Sequence, residues 1–309
     1  MKGFSGHYTS HQPGEAHAQH PQNVNRRAAD KGSISMKVFI SVDMEGISGI
    51  TDTTMTSRDQ PDYEKGRTLM AKDVNACIEG ILAAGPAEIT VCDGHGGMNN
   101  INPEDLHQAA TLVRGTPKPQ SQTAGLDSSY DACIFIGYHS RKGTLRGVLS
   151  HTYSGASIES LRINGIESGE TAMNAGIAGH HGVPLVMVTG DQAVAAEAKQ
   201  LSPDIETAIV KTAIGRRAAA CLHPEKARRL IRDTATKAVK KHTSVKPITY
   251  ATPVTYTIRF TDATRADAAA FIPGARRLDG KTIELISPDY ITAYHGFIAA
   301  VLCAQAASQ

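Results

Sequence analysis

The chain has 309 residues, 41% of them hydrophobic and 20% charged, and a formal net charge of +2. That is enough apolar material for one large core or two smaller ones, and so balanced a charge gives no reason to expect nucleic acid or an anionic membrane as partner. Five scattered cysteines with no Cys-x-x-Cys pair argue against a disulfide framework and for a reducing, cytoplasmic setting, and no apolar run reaches the roughly 20 residues that span a bilayer.

Residues 1–35 contain no Leu, one Val and one Ile. Such a segment cannot bury enough surface to offset its ordering entropy, so a disordered N-terminal extension is expected, its His7, His11, His17 and His20 solvated and without ligand spacing. It has no apolar signal segment. From Met36 the texture changes. KVFISV is a short apolar run suited to a strand buried on both faces. Apolar residues at helical spacing from Tyr63 to Ala84, ended by Gly85-Pro86, predict a helix. Strands at EITVCD and DACIFIGY, a helix over about 168–178 and a strand at PLVMVTG follow.

Alternation of this kind predicts an α/β fold with a mainly parallel sheet flanked by helices, over residues 36–221. From 222 the pattern differs. A helix opened by His223-Pro224-Glu225, strands at VTYTIRF and KTIELIS, a helix near 262–271 and a closing helix from Asp289 predict a smaller α+β domain over 222–309.

Polar clusters stand at the ends of the predicted strands, where open α/β sheets bind ligands. In SVDMEGISG, Asp43 and Glu45 are two apart, so an extended backbone puts both carboxylates on one side, where a cation would relieve their repulsion. A pair of capping acids at a strand end is the plain alternative. In VCDGHGGMNN, His95 lies among glycines that permit close approach, though a loop His is by default simply exposed. His139 ends DACIFIGY, and His151 follows twelve residues later with nothing resembling a nucleophile elbow. Glu170 and Asn174 share a helix face, where Glu170 alone would pass as a first-turn acid favoured by the helix dipole. Taken together, two His and three carboxylates on separate elements suit zinc. Two metals held by five ligands require a bridging carboxylate, and Asp43 is the natural one.

These motifs in this order, SVDMEGISG, DGHGGMNN, GYH followed by SH, and GE-x-x-x-N, resemble the zinc-dependent D-aminopeptidases linked to dipeptide-transport operons, from Met36 to near the C-terminus. The resemblance implies two zinc ions per chain. Asp43 would bridge them, Glu45 and His95 would complete one site, and His139 and Glu170 the other. His151 would serve catalysis, as proton shuttle or as nucleophile. It also implies short peptides with an N-terminal D-residue such as D-Ala as substrates, and a ring-like homo-oligomer, a decamer of stacked pentamers. The loop SRKGTLRGVLS between His139 and His151 is one residue longer than the family pattern, and the 35-residue leader is foreign to it.

Two other readings compete. A haloacid-dehalogenase-like, Mg-dependent phosphohydrolase would explain an apolar strand followed by D-x-D, but Glu45 replaces the second Asp and three histidines stay unused. A non-catalytic peptide- or metal-binding α/β protein would keep the ligands without the turnover.

Overall fold

The computed structural model describes residues 35–307; the expected extension, all but its last residue, lies outside them. The first strand, β1 (Met36–Val42), is buried on both faces from Val38 on, as its unbroken apolar run requires. Helix α1 (Tyr63–Ala84) has the predicted bounds. Then come β2 (Ala87–Asp93), the short β3 (Ala110–Val113) and β4 (Ala132–Ile136). A hairpin follows, β5 (Ile158–Ile163) and β6 (Ile166–Ser168), turning on Asn164 and Gly165, both at positive φ.

Helix α2 (Glu170–His180) starts two residues later than expected. It leads to β7 (Leu185–Asp191), α3 (Gln192–Leu201), β8 (Glu206–Gly215), β9 (Ala218–Cys221) and α4 (Pro224–Lys240). The chain then runs through β10 (Val254–Phe260), α5 (Ala263–Ala269), β11 (Arg276–Arg277), β12 (Thr282–Ser287) and α6 (Tyr290–Ala306).

Among the described residues the strands form two sheets. The first has the order β3-β2-β1-β4-β7-β8-β9 and is parallel except for β9. The chain leaves β1 in one direction, through β2 and β3, and returns on the other side at β4. The strand order therefore reverses beside β1, which opens a crevice at the carboxyl ends of β1, β2 and β4. One face of this sheet packs on α1 and α4, the other on α2 and α3. The second sheet, β11-β12-β10-β5-β6, is antiparallel and packs on α5, α6 and one face of α2. Helix α2 is wedged between the sheets, with Ala175 and Ala178 in one cluster and Met173 and Ile177 in the other.

The division expected at residue 222 is not where the sheets divide. The β5–β6 hairpin, from the expected catalytic domain, pairs with β10. Helix α4, expected in the C-terminal domain, lays Ala227, Ile231, Ala235 and Ala238 in the core that α1 also fills. The two helices cross closely because Gly80 has no Cβ; one added there would lie 2.3 Å from the Arg232 carbonyl oxygen. The described residues form a single contact unit.

Candidate metal centre

Each candidate side chain is delivered by an element ending at the crevice. Past β1, the Asp43 N–H donates to the Ile136 carbonyl (2.8 Å) and the Gly46 N–H to that of Gly137 (2.7 Å), stitching this loop to the end of β4. The loop after β2 closes on Asp93, whose carboxylate accepts from the backbone N–H groups of Asn100 (2.5 Å) and Ile101 (2.8 Å) and from the Asn100 amide (2.7 Å). This holds His95 over the crevice. His139 lies three residues past β4, and Glu170 is the first residue of α2, 3% exposed.

The five expected ligands converge. His95 Nδ1 lies 3.0 Å from Asp43 Oδ1 and 3.1 Å from Glu45 Oε2. His139 Nε2 lies 3.4 Å from Asp43 Oδ2 and 3.2 Å from Glu170 Oε1. Asp43 thus turns one oxygen to each half, the disposition a bridging carboxylate needs. The rear nitrogens of both rings are tied to backbone carbonyls: His95 Nε2 to Thr56 (2.9 Å) and His139 Nδ1 to Ser140 (3.0 Å). A neutral ring whose rear N–H donates there presents a bare lone pair to the centre, the usual arrangement for a metal-ligating histidine.

The electrostatics show how strongly the centre attracts positive charge, whether proton or metal ion. Burial pushes the Asp43 carboxyl up, but the nearby imidazoles of His139 and His95 hold it well below the usual carboxylate range. Burial opposes charge on the imidazoles too, yet Glu45 and Asp43 drive His95, and Glu170 and Asp43 drive His139, well above the ordinary value. Glu170 is lowered: burial raises it, and His139 and His151 outweigh that. Three buried carboxylates here draw positive charge from any source. Glu45 Oε2 and His139 Nε2 are buried and, although within ion-pair distance of neighbours, make no well-directed hydrogen bond. Hard and borderline donors around shared negative charge, with buried atoms unpaired, fit zinc.

His151 returns over the same centre. Its ring stacks on His139 at 4.0 Å between centroids, and its Nε2 lies 3.8 Å from Glu170 Oε1 while Nδ1 meets the Leu149 carbonyl (3.0 Å). His139, His151 and Glu170 could by distance hold an ion together, as could Asp43, Glu45 and His139. The loop between His139 and His151 is held by Asp191, whose carboxylate accepts the Val148 N–H (2.7 Å).

Further residues support Glu170 without any signal in the sequence. The Gln122 amide donates to Glu170 Oε2 (2.7 Å) and its oxygen accepts from Asn174 (2.6 Å), while the Tyr153 N–H donates to Glu170 Oε1 (2.7 Å). The centre opens into a cavity of about 370 Å³ that runs past Met98 and Tyr153 to Ile298, Val301 and Leu302 of α6. A larger cavity of about 450 Å³, lined by Arg141, Glu197 and Tyr250 among others, contains none of the six candidate residues.

A family model described as D-aminopeptidase matches residues 36–299. A D-aminopeptidase of Bacillus subtilis (strain 168) is 38% identical over 264 residues, covering 85% of this chain and 96% of that protein. The solved structure of the Zn-dependent D-aminopeptidase DppA from Bacillus subtilis, described as a self-compartmentalizing protease, superposes with a TM-score of 0.85 at 37% identity, covering 87% of this chain and 98% of the other.

Proposed function

The chain belongs to the D-aminopeptidase family, and from that premise we propose that it is a two-zinc aminopeptidase releasing an N-terminal D-residue, such as D-Ala, from short peptides. The observation that carries the reading is the pair of Asp43 oxygens, each facing a different imidazole whose rear nitrogen is tied to a carbonyl. Asp43, Glu45 and His95 would hold one ion, and Asp43, His139 and Glu170 the other. Zinc in such donor sets supplies a Lewis acid for the scissile carbonyl and acidifies water.

The protein's own residues supply the rest. His151, with Nδ1 on the Leu149 carbonyl, turns Nε2 to the centre, where it can take a proton and pass it to the leaving amine. The cavity accepts a short peptide against an apolar wall of Ile298, Val301 and Leu302, and its size excludes a folded protein. The relative's self-compartmentalizing character supports a homo-oligomer for this chain, with the ring-like decamer as the form expected. No helix among the described residues is long and apolar enough to cross a membrane, and the five cysteines are free, as a reducing cytoplasm would leave them.

The test combines metal analysis with hydrolysis of D-Ala and L-Ala p-nitroanilides before and after chelation. About two zinc equivalents per chain and chelator-sensitive turnover of the D-substrate are expected. Binding of Mg alone with phosphate-ester hydrolysis, or preference for the L-substrate, would overturn the reading.

A further inference from the structure

Lys211 stands in the middle of β8 with 1% of its surface exposed. A buried ammonium is costly unless its donors are all satisfied, and an apolar residue would complete this strand without that cost. Among the described residues Lys211 forms no ion pair within 4 Å of a carboxylate. Instead its Nζ donates to three carbonyls of one loop, those of Glu45 (2.6 Å), Ile47 (2.9 Å) and Ile50 (2.5 Å). An ammonium has three N–H groups, and all three are used.

The loop it grips is the one that carries Asp43 and Glu45. Among the described residues, its other hydrogen bonds to the rest of the fold include the Asp43 N–H to Ile136, the Gly46 N–H to Gly137, and Ser48, whose N–H and hydroxyl donate to Asp73 (2.9 and 2.8 Å). Among the described residues, Lys211 alone hydrogen-bonds the main chain of Glu45 itself. The two residues are 166 positions apart in sequence, so only the folded sheet brings them together.

We propose that Lys211 is a positioning residue of the metal centre, fixing the main chain of the 45–50 loop so that the Glu45 carboxylate is aimed at the half of the centre it shares with His95. This rests on the two-metal reading above. Residues that orient metal ligands typically contribute about 10- to 100-fold to metal affinity or activity, and that is the size of effect to look for.

The experiment uses the full chain and three variants. Lys211→Met keeps the bulk and removes every donor, Lys211→Gln keeps two donors on a shorter arm, and Ile231→Ala opens a cavity in the α1–α4 core as a control for general loosening. Amide hydrogen exchange is followed in residues 44–50 of the metal-free proteins, and zinc affinity by chelator competition. In Lys211→Met, exchange in that loop should quicken at least tenfold. One of the two zinc affinities should fall by about 10- to 100-fold while the other is retained, and kcat should fall with KM within a few-fold and recover in excess zinc. Lys211→Gln should lie between Met and wild type, and Ile231→Ala should leave both readouts unchanged. Wild-type exchange and two unchanged affinities in Lys211→Met would overturn the proposal, as would equal weakening of both sites or the same loss in Ile231→Ala. If Lys211→Met does not fold, Lys211→Gln decides by the same two readouts. A wild type that binds no pair of zinc ions would refute the proposed function, while loop exchange would still decide the role of Lys211.

Discussion

Gly46→Ala probes whether the spacing between the ends of β1 and β4 matters to the centre. A Cβ added at Gly46 would lie 2.0 Å from the Tyr138 carbonyl oxygen and 2.6 Å from the Gly137 carbonyl carbon, both backbone atoms. Real Cβ contacts essentially never fall under 3.0 Å, so the two segments must part by about 1 Å. Gly46 follows Glu45 and Tyr138 precedes His139, so this separation pulls a ligand of one half away from a ligand of the other. Overpacking of this kind costs about 1–3 kcal/mol, and at roughly 2–4 °C per kcal/mol for a domain of this size Tm should drop by about 2–12 °C. A displacement near 1 Å at a catalytic centre costs about 10²-fold in rate. The measurements are calorimetry and kcat/KM on a D-alanyl substrate, with Gly215→Ala as control because its added Cβ meets nothing within 4 Å. If Gly46→Ala keeps kcat/KM within threefold of wild type, the spacing is not a determinant of activity and the reasoning fails.

Three further outcomes are expected. Asp43→Asn should weaken both zinc sites, whereas Glu45→Gln should weaken mainly one, measured as metal equivalents retained after dialysis against a chelator. His151→Ala should keep both zinc ions and lower kcat by about 10²–10⁴-fold; loss of one ion would make His151 a ligand, which its place beside His139 and Glu170 allows. Burial pushes the Asp73 carboxyl up from 3.8 to about 6, against the pull of Ser48 and Arg228. With the folded value above the unfolded one, stability from this group is full below about 3.8 and is lost as pH rises through about 6. The Tm of wild type minus that of Asp73→Asn should therefore shrink between pH 4 and 7, and a constant difference would show that Asp73 does not titrate there.

The strands bearing the centre were legible because each is a buried apolar run ending in polar residues, and α1 because its periodicity stops at Gly85-Pro86. Asn164-Gly165 between two alternating runs is a hairpin signal that the sequence offers and the expected elements lack; it assigns 158–168 to the second sheet. Strand β8 is obscured by Lys211, a charge in its middle whose acceptors lie on a distant loop. The place of α4 depends on which helix its apolar face meets, and one amphipathic pattern suits either sheet. All six candidate residues meet at the crevice, whereas Gln122, Tyr153 and the Thr56 carbonyl gain their part only from tertiary contacts.

The five candidate ligands reach the centre from four segments, and the Asp43–His95 step alone spans 52 positions. An unfolded chain therefore holds no chelate, and its isolated carboxylates and imidazoles bind an ion weakly. Metal that binds only the folded chain shifts the folding equilibrium by mass action, about 1.4 kcal/mol for each tenfold excess of free ion over its dissociation constant. Without it, three buried carboxylates face one another within a few ångströms of two imidazoles. On the two-zinc reading, zinc supply governs how long the protein survives as well as how fast it works, and starvation should deplete the folded chain itself through unfolding and proteolysis.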